Sequence, residues 1–272
     1  MKKTSIVVIV LMLVVGALSS AYATDYSYTM VNYPGALYSL PYGINNAGTI
    51  VGVYGSQGFT LSGTTYRPVN YPGAVYTIPQ GISNGGTIVG QCWGVVGVNS
   101  FTLSGTTYSP LIPGGGTIVP YGINNAGTIV GAGPGGGTFW PSGGVLTALY
   151  YPSGIQGSAT TVSAYGINDA GTIVGTLFTP SPSSLGGGVW QGFSLSNYSA
   201  FGSGPYTTLN YPGALDTWVY GINDTGTIVG TYGDASGAPH GFEGTPVPVP
   251  ASLFLFGPGL LGLAAVRRRF KK

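Results

Sequence analysis

Gly43-Ile44-Asn45-Asn46-Ala47-Gly48-Thr49-Ile50-Val51-Gly52 is the stretch that decides the fold, because it occurs in five versions. The others are GISNGGTIVG from Gly81, GINNAGTIVG from Gly122, GINDAGTIVG from Gly166 and GINDTGTIVG from Gly221, at successive offsets of 38, 41, 44 and 55 residues. Periods near forty residues belong to solenoids, propellers and arrays. Gly-Ile-Asn reads as a short strand and Asn-Ala-Gly as hairpin chemistry. Gly48, Gly86, Gly127, Gly171 and Gly226 supply the left-handed residue that a three-residue loop needs. Thr-Ile-Val-Gly then continues as a β-rich strand.

Outward from the decamer, each unit carries a Gly/Ser-rich loop and a third strand such as Gly58-Phe59-Thr60-Leu61. A Ser62-Gly63 turn leads to a fourth strand from Thr64 to Asn70. Tyr71-Pro72-Gly73-Ala74 closes the unit, as do Tyr33-Pro34-Gly35-Ala36, Tyr151-Pro152 and Tyr211-Pro212-Gly213-Ala214, with Ile112-Pro113-Gly114 as a degenerate copy. Four short antiparallel strands in about 44 residues match a propeller blade. Before Gly43 lies only a fourth strand, Tyr26 to Asn32, and the last unit stops after Gly241-Phe242-Glu243 without one. The two fragments complement each other. The expected fold is all-β, a five-bladed β-propeller closed by its N-terminal strand, which leaves no free edge. An open solenoid would leave both ends ragged without a polar capping unit.

Composition agrees with a folded, turn-rich body. There are 50 glycines and only 5% charged residues, but 43% of residues are hydrophobic and 12% aromatic, more than a disordered chain carries. The net charge of +2 is a sum of unlike regions. Between the basic ends, Arg67 is the only cation, against Asp25, Asp169, Asp216, Asp224, Asp234 and Glu243, a formal −5. Nucleic acid requires clustered Lys and Arg, so that partner is excluded, and an anionic membrane surface is disfavoured for the same reason. Cys92 stands alone, which rules out an intramolecular disulfide and suits a small buried hydrophobe.

The two ends read as addresses. Lys2 and Lys3, the apolar run Ile6 to Leu18 and Ala21-Tyr22-Ala23 form a secretory signal over residues 1–23, an apolar signal helix cleaved after Ala23. A repeat body over residues 24–245 and a sorting tail over 246–272 complete the expected organisation. In the tail, Val247-Pro248-Val249-Pro250 is a stiff extended prelude. An uncharged helix over 251–266 follows, roughly 24 Å long against a bilayer core of about 30 Å. The basic end 267–272, with Arg267, Arg268, Arg269, Lys271 and Lys272, acts as a cytoplasmic stop. A plain C-terminal anchor is the simpler alternative.

VPVPASLFLFGPGLLGLAAVRRR resembles the PEP-CTERM sorting signal of Gram-negative bacteria, with Val249 where the family usually has Glu. That resemblance implies a transient inner-membrane anchor, removal by an exosortase-type processing enzyme, and delivery to the cell surface or exopolysaccharide. The decamers, the YPGA endings and Pro239-His240-Gly241-Phe242 resemble the HAF family of bacterial extracellular repeats. This implies export and no defined activity.

Chemistry is sparse in the body. One His, one Cys and scattered acids do not make a metal site, and no cofactor is expected. Asp169 and Asp224 share one hairpin position with Asn46 and Asn125, which favours turn chemistry over a weak calcium site. A glycosidase needs two carboxylates at a fixed separation, and a Ser-His-Asp hydrolase needs a histidine, of which the chain has only His240, near the end of the body. The repeating tyrosines, Tyr33, Tyr71, Tyr151 and Tyr211, fit inter-blade core. Trp93, Trp140, Trp190 and Trp218 fall outside the fixed pattern and are the candidate ligand contacts, with rings able to stack on sugars. The expected function is a non-enzymatic surface- or exopolysaccharide-associated binding or structural protein. The alternatives are a secreted carbohydrate-active enzyme and a coat protein or adhesin with a protein partner.

Overall fold

The computed structural model describes residues 25–97, 99–111, 118–133, 136–142, 144, 147–148, 161–180, 187–196 and 206–247. The signal segment with Ala21 and Ala23, Pro248, Val249 and Pro250, the apolar helix and the basic cluster lie outside them, as do Tyr151 and Ile112-Pro113-Gly114. The chain divides into two compact units, Tyr28–Thr245 and a second made of Met1–Ser27 with Pro246–Lys272. Within the second, the Val247 amide donates to the Asp25 carbonyl at 2.7 Å.

The described residues are all β, with no helix among them. The first strand is β1 (Tyr26–Met30). One sheet follows from β2 (Leu40–Ile44), β3 (Ile50–Tyr54), β4 (Gln57–Ser62) and β5 (Thr65–Val69). The next holds β6 (Tyr76–Ile82), β7 (Ile88–Trp93), β8 (Ser100–Ser104) and β9 (Thr107–Pro110). A third holds β10 (Val119–Ile123), β11 (Ile129–Gly133), β12 (Gly136–Trp140) and β13 (Thr147–Ala148). A fourth holds β14 (Thr161–Ile167), β15 (Ile173–Pro180), β16 (Gly188–Leu195) and β17 (Tyr206–Leu209). Finally β18 (Asp216–Ile222), β19 (Ile228–Gly233) and β20 (Pro239–Pro246) form a sheet whose outer place is taken by β1. The Val31 amide continues that pairing with a 3.0 Å bond to the Gly241 carbonyl. The N-terminal strand therefore supplies the piece the last repeat lacks.

The four-stranded sheets are arranged like propeller blades. Their first strands touch in succession, β2 to β6, β6 to β10, β10 to β14, β14 to β18 and β18 back to β2. Each first strand carries a register shift just before its decamer glycine, between Pro41 and Gly43 and at the four equivalent places. Such bulges bend a strand and raise its twist.

The decamer folds nearly as read. Its sixth-residue turn glycines all have positive φ, from 72° at Gly48 to 81° at Gly226. The strand, however, ends one residue early, at Ile44. Asn45 turns its side chain back so that Oδ1 accepts the amides of Ala47 (3.1 Å) and Thr49 (3.0 Å). A side chain that satisfies the loop amides removes the reason to extend the ladder.

Between sheets the core is built from the second and third strands. Val51, Val89, Val130, Val174 and Val229 are fully buried, as are Phe59, Phe101, Phe193 and Phe242. The last glycine of the decamer makes room for the phenylalanine: a Cβ on Gly52 would lie 2.9 Å from Phe59 Cζ and 2.2 Å from the Leu40 carbonyl oxygen. Tyr33 stacks on Tyr54 at 3.6 Å and Tyr211 on Tyr232 at 3.7 Å, so these repeat-locked tyrosines are packing residues. Cys92 is fully buried in the same layer, and burial pushes its thiol pKa up.

The first decamer glycine sets the approach of neighbouring sheets. A Cβ on Gly221 would lie 2.8 Å from the Tyr42 carbonyl oxygen and 2.9 Å from Gly43 Cα, in the middle of two backbones. Gly221→Ala is expected to cost about 1–3 kcal/mol, as overpacking does. Gly233→Ala, where nothing lies within 4 Å, should stay within about 0.5 kcal/mol of the parent. Thermal denaturation of both variants checks the difference.

Candidate functional site: a blind tyrosine cup

Side chains of a strand alternate between its two faces, and the inner strands use one face for a central passage. Three layers can be followed along it. At the hairpin end stand Asn46, Asn84, Asn125, Asp169 and Asp224. The Asp224 amide donates to Asn46 Oδ1 (2.8 Å), Asn46 to Asn84 Oδ1 (2.8 Å), Gly85 to Asn125 Oδ1 (3.0 Å), Asn125 to Asp169 Oδ1 (2.6 Å) and Asp169 to Asp224 Oδ1 (2.8 Å). The circuit returns to its start. Asn84 Nδ2 also reaches across to Oδ2 of both Asp169 and Asp224, each at 2.9 Å. Both acids accept amides from neighbouring hairpins rather than from their own turns, so they tie one unit to the next.

Behind this layer the five glycines and Ile44, Ile82, Ile123, Ile167 and Ile222 leave two gaps of about 10 Å³ each, room for about one water apiece. Beyond them the passage widens to a cavity of about 210 Å³ lined by Tyr42, Ile78, Gln80, Tyr121, Tyr165 and Tyr220. It is a cup with a narrow floor.

The tyrosines are one repeat position, the residue before Gly-Ile, with Gln80 in the fifth place. They interlock with tilted or edge-on rings: Tyr121 to Tyr165 at 5.0 Å, Tyr165 to Tyr220 at 5.2 Å and Tyr42 to Tyr220 at 5.1 Å. This is the arrangement that ring quadrupoles favour. The Tyr220 phenol takes a 3.4 Å bond from Thr231 Oγ1. Burial pushes its pKa up to about 12, with Tyr165 adding to the rise and the threonine opposing it. Burial and the neighbouring phenols of Tyr220, Tyr165 and Tyr38 raise Tyr42 as well. Gln80 donates to Gln91 Oε1 at 2.8 Å. Thr176, in the register place that Thr231 holds, is fully buried with an unpartnered hydroxyl.

Two of the four tryptophans come together between β16 and β18. Trp218 lies two residues before Tyr220 on β18, and its ring centroid is 6.4 Å from that of Trp190. Phe178 packs on Trp190 at 5.1 Å, and Asp216 Oδ1 accepts the Trp190 amide at 2.8 Å. Both rings sit inside strands rather than in loops: Trp190 in β16, which like β15 runs to eight residues, and Trp218 in β18. Trp93 ends β7, 40% exposed. Trp140 is half-buried and donates its indole N–H to the Gly144 carbonyl (3.0 Å). Neither is part of the Trp190–Trp218 pair. His240 bonds Asp234 Oδ2 at 2.8 Å and stacks on Tyr232, and Asp234 Oδ1 accepts amides from Ser236 and Ala238, so this pair holds a turn. No group of three or more metal-ligating side chains occurs among the described residues.

The tyrosine position was visible in the sequence, since each decamer but one is preceded by Tyr. Its spacing alone does not say that these side chains meet, because the residues lie about forty positions apart and converge only when the inner strands do.

The hairpin circuit makes a pH prediction. Burial alone would raise the Asp224 pKa, but hydrogen bonds from Asn46, the Asp169 amide and Asn84 outweigh it and hold the carboxyl below its ordinary value. A depressed folded pKa adds stability above the unfolded value of about 3.9, lost as pH falls through the folded one. The melting temperature should therefore drop below about pH 4, and Asp224→Asn should make that acid limb shallower while keeping the fold. Melting curves between pH 2 and 6 measure both.

No family model matches this chain, and neither does any curated protein.

Proposed function

We propose that this chain is an exported, non-enzymatic binding or structural protein of a Gram-negative cell surface or its exopolysaccharide, folded over residues 24–245 as a closed five-bladed β-propeller. The closed circuit of hairpin hydrogen bonds and the pairing of β1 with β20 support the ring. The terminal segments, which resemble a secretory signal and a PEP-CTERM tail, support export, transient anchoring and exosortase-type processing. The decamers that resemble HAF repeats agree with an extracellular setting.

The observation that carries the choice of binding over turnover is the division of labour among polar groups. Asp169, Asp224, Asp216 and Asp234 all accept main-chain amides that shape turns or strands. The cavity of about 210 Å³ is lined instead by phenols, an amide and an aliphatic side chain. General acid–base catalysis of glycoside hydrolysis works through a pair of carboxylates across the bond, and the cup lining contributes neither.

Two experiments test this reading. Mass spectrometry of protein released from the host surface should give a chain starting at Thr24 and lacking the apolar tail. The intact leader and tail on the surface form would overturn the sorting proposal. The purified chain should be retained on the host's own exopolysaccharide, and a deletion strain should make an altered matrix. No retention together with an unchanged matrix would overturn the function. Ring closure has its own readout: the body should resist limited proteolysis and then collapse as a unit, whereas stepwise loss of end repeats would argue for an open stack.

A further inference from the structure

We infer that the tyrosine cup is a binding site for one uncharged sugar ring, presented end-on by the terminus of a glycan chain. This rests on the surface-polymer reading above and adds to it the site and the part of the polymer that is read.

Shape gives the first reason. The floor is closed by the glycine and isoleucine layers, whose gaps hold about one water each, so a chain cannot thread through. The volume of about 210 Å³ is below the roughly 300–1,000 Å³ typical of drug-sized ligands. A single pyranose ring displaces a volume of this order; a run of several does not fit. An end unit enters, and a mid-chain unit with neighbours on both sides is excluded.

Charge gives the second. Among the described residues, no ionised side chain lines the cup. Tyr220 and Tyr42, with phenol pKa values raised by burial, stay neutral across the physiological range. An ion brought there would lose its hydration without a counter-charge, at a cost that buried ions meet only when paired. A quaternary ammonium would look for open aromatic faces, but around the cup tilted and edge-on contacts set each ring against the next.

The remaining chemistry is that of hydroxyl recognition. Phenol groups both donate and accept, and Gln80 keeps its carbonyl oxygen after donating to Gln91. The position that is Tyr in four repeats is Gln in one, which breaks the aromatic circle between Tyr42 and Tyr121 and places an amide there.

The test is titration of the purified full chain, followed by tryptophan fluorescence and calorimetry. The probes are the methyl glycosides of glucose, galactose, mannose and N-acetylglucosamine, with glucuronate and tetramethylammonium as charged comparators. At least one neutral glycoside should saturate at millimolar concentration or below, while both ions fail. Gln80→Leu and Tyr42→Phe should each weaken that glycoside at least tenfold with an unchanged melting temperature. If either variant unfolds, competition supplies the answer: partial hydrolysis of the host polymer should make it a better competitor in proportion to its chain ends. Silence of all four glycosides, binding of an ion instead, or competition that tracks polymer mass rather than ends would overturn the inference. Retention on polymer that persists unchanged in folded cup variants would overturn it while leaving surface association standing. Loss of retention by the parent chain would overturn the surface reading itself.

Discussion

At Gly43, Gly81, Gly122, Gly166 and Gly221 neighbouring inner strands approach so closely that a Cβ on any of them would lie 2.6–2.9 Å from an atom of the next backbone. That backbone-to-backbone approach is what the remaining architecture depends on. It holds each sheet's first strand against the next one and points the residue before each glycine into a shared passage. It also lines up the five hairpins at one end. A methyl group at any of these places has no direction in which to yield, because its neighbours are main-chain atoms rather than flexible side chains.

With the strands fixed at that distance, the hairpins can share hydrogen bonds. Each carries Asn or Asp at the same turn position, and each accepts an amide from its neighbour in a circuit that closes from Asp224 onto Asn46. Beneath it, Asn45, Asn124, Asn168 and Asn223 send their side-chain amides to the carbonyl of the next hairpin. Ser83 stands where the fifth asparagine would be, with its hydroxyl accepting the Thr87 amide of its own turn. Coupled polar groups of this kind strengthen one another when all are satisfied. The glycine and isoleucine layer behind them narrows the passage to gaps of about 10 Å³, which leaves a cup on its far side. The residues that hold the ring and those that line the cup are therefore adjacent on the same strands, with separate chemistry: carboxylates and amides in the turns, phenols above.

How much of this was legible depends on the range of the interaction. The hairpins, the positive-φ glycines, four strands per unit, the packing role of Tyr33 and Tyr211 and the burial of Cys92 follow from local grammar, because turn geometry and hydrophobic alternation act within a few residues. The missing fourth strand of the last repeat was also readable, since a repeat that ends early leaves a countable gap, and β1 fills it. The length of β15 and β16 was not readable: it comes from an irregular insertion, and it brings Trp190 and Trp218 together across a sheet boundary that no sequence spacing encodes.

The amino-acid sequence by itself determined the unit, a four-stranded β repeat with its turns and its buried face, because those depend on period and on residues close in the chain. Only the tertiary structure decided what the repeats enclose. A tyrosine recurring every forty or so residues is an ordinary partly buried aromatic until five inner strands converge on one passage. At that point four phenols and one amide line one cavity, and their neutrality and spacing exist only as properties of the assembled sheets.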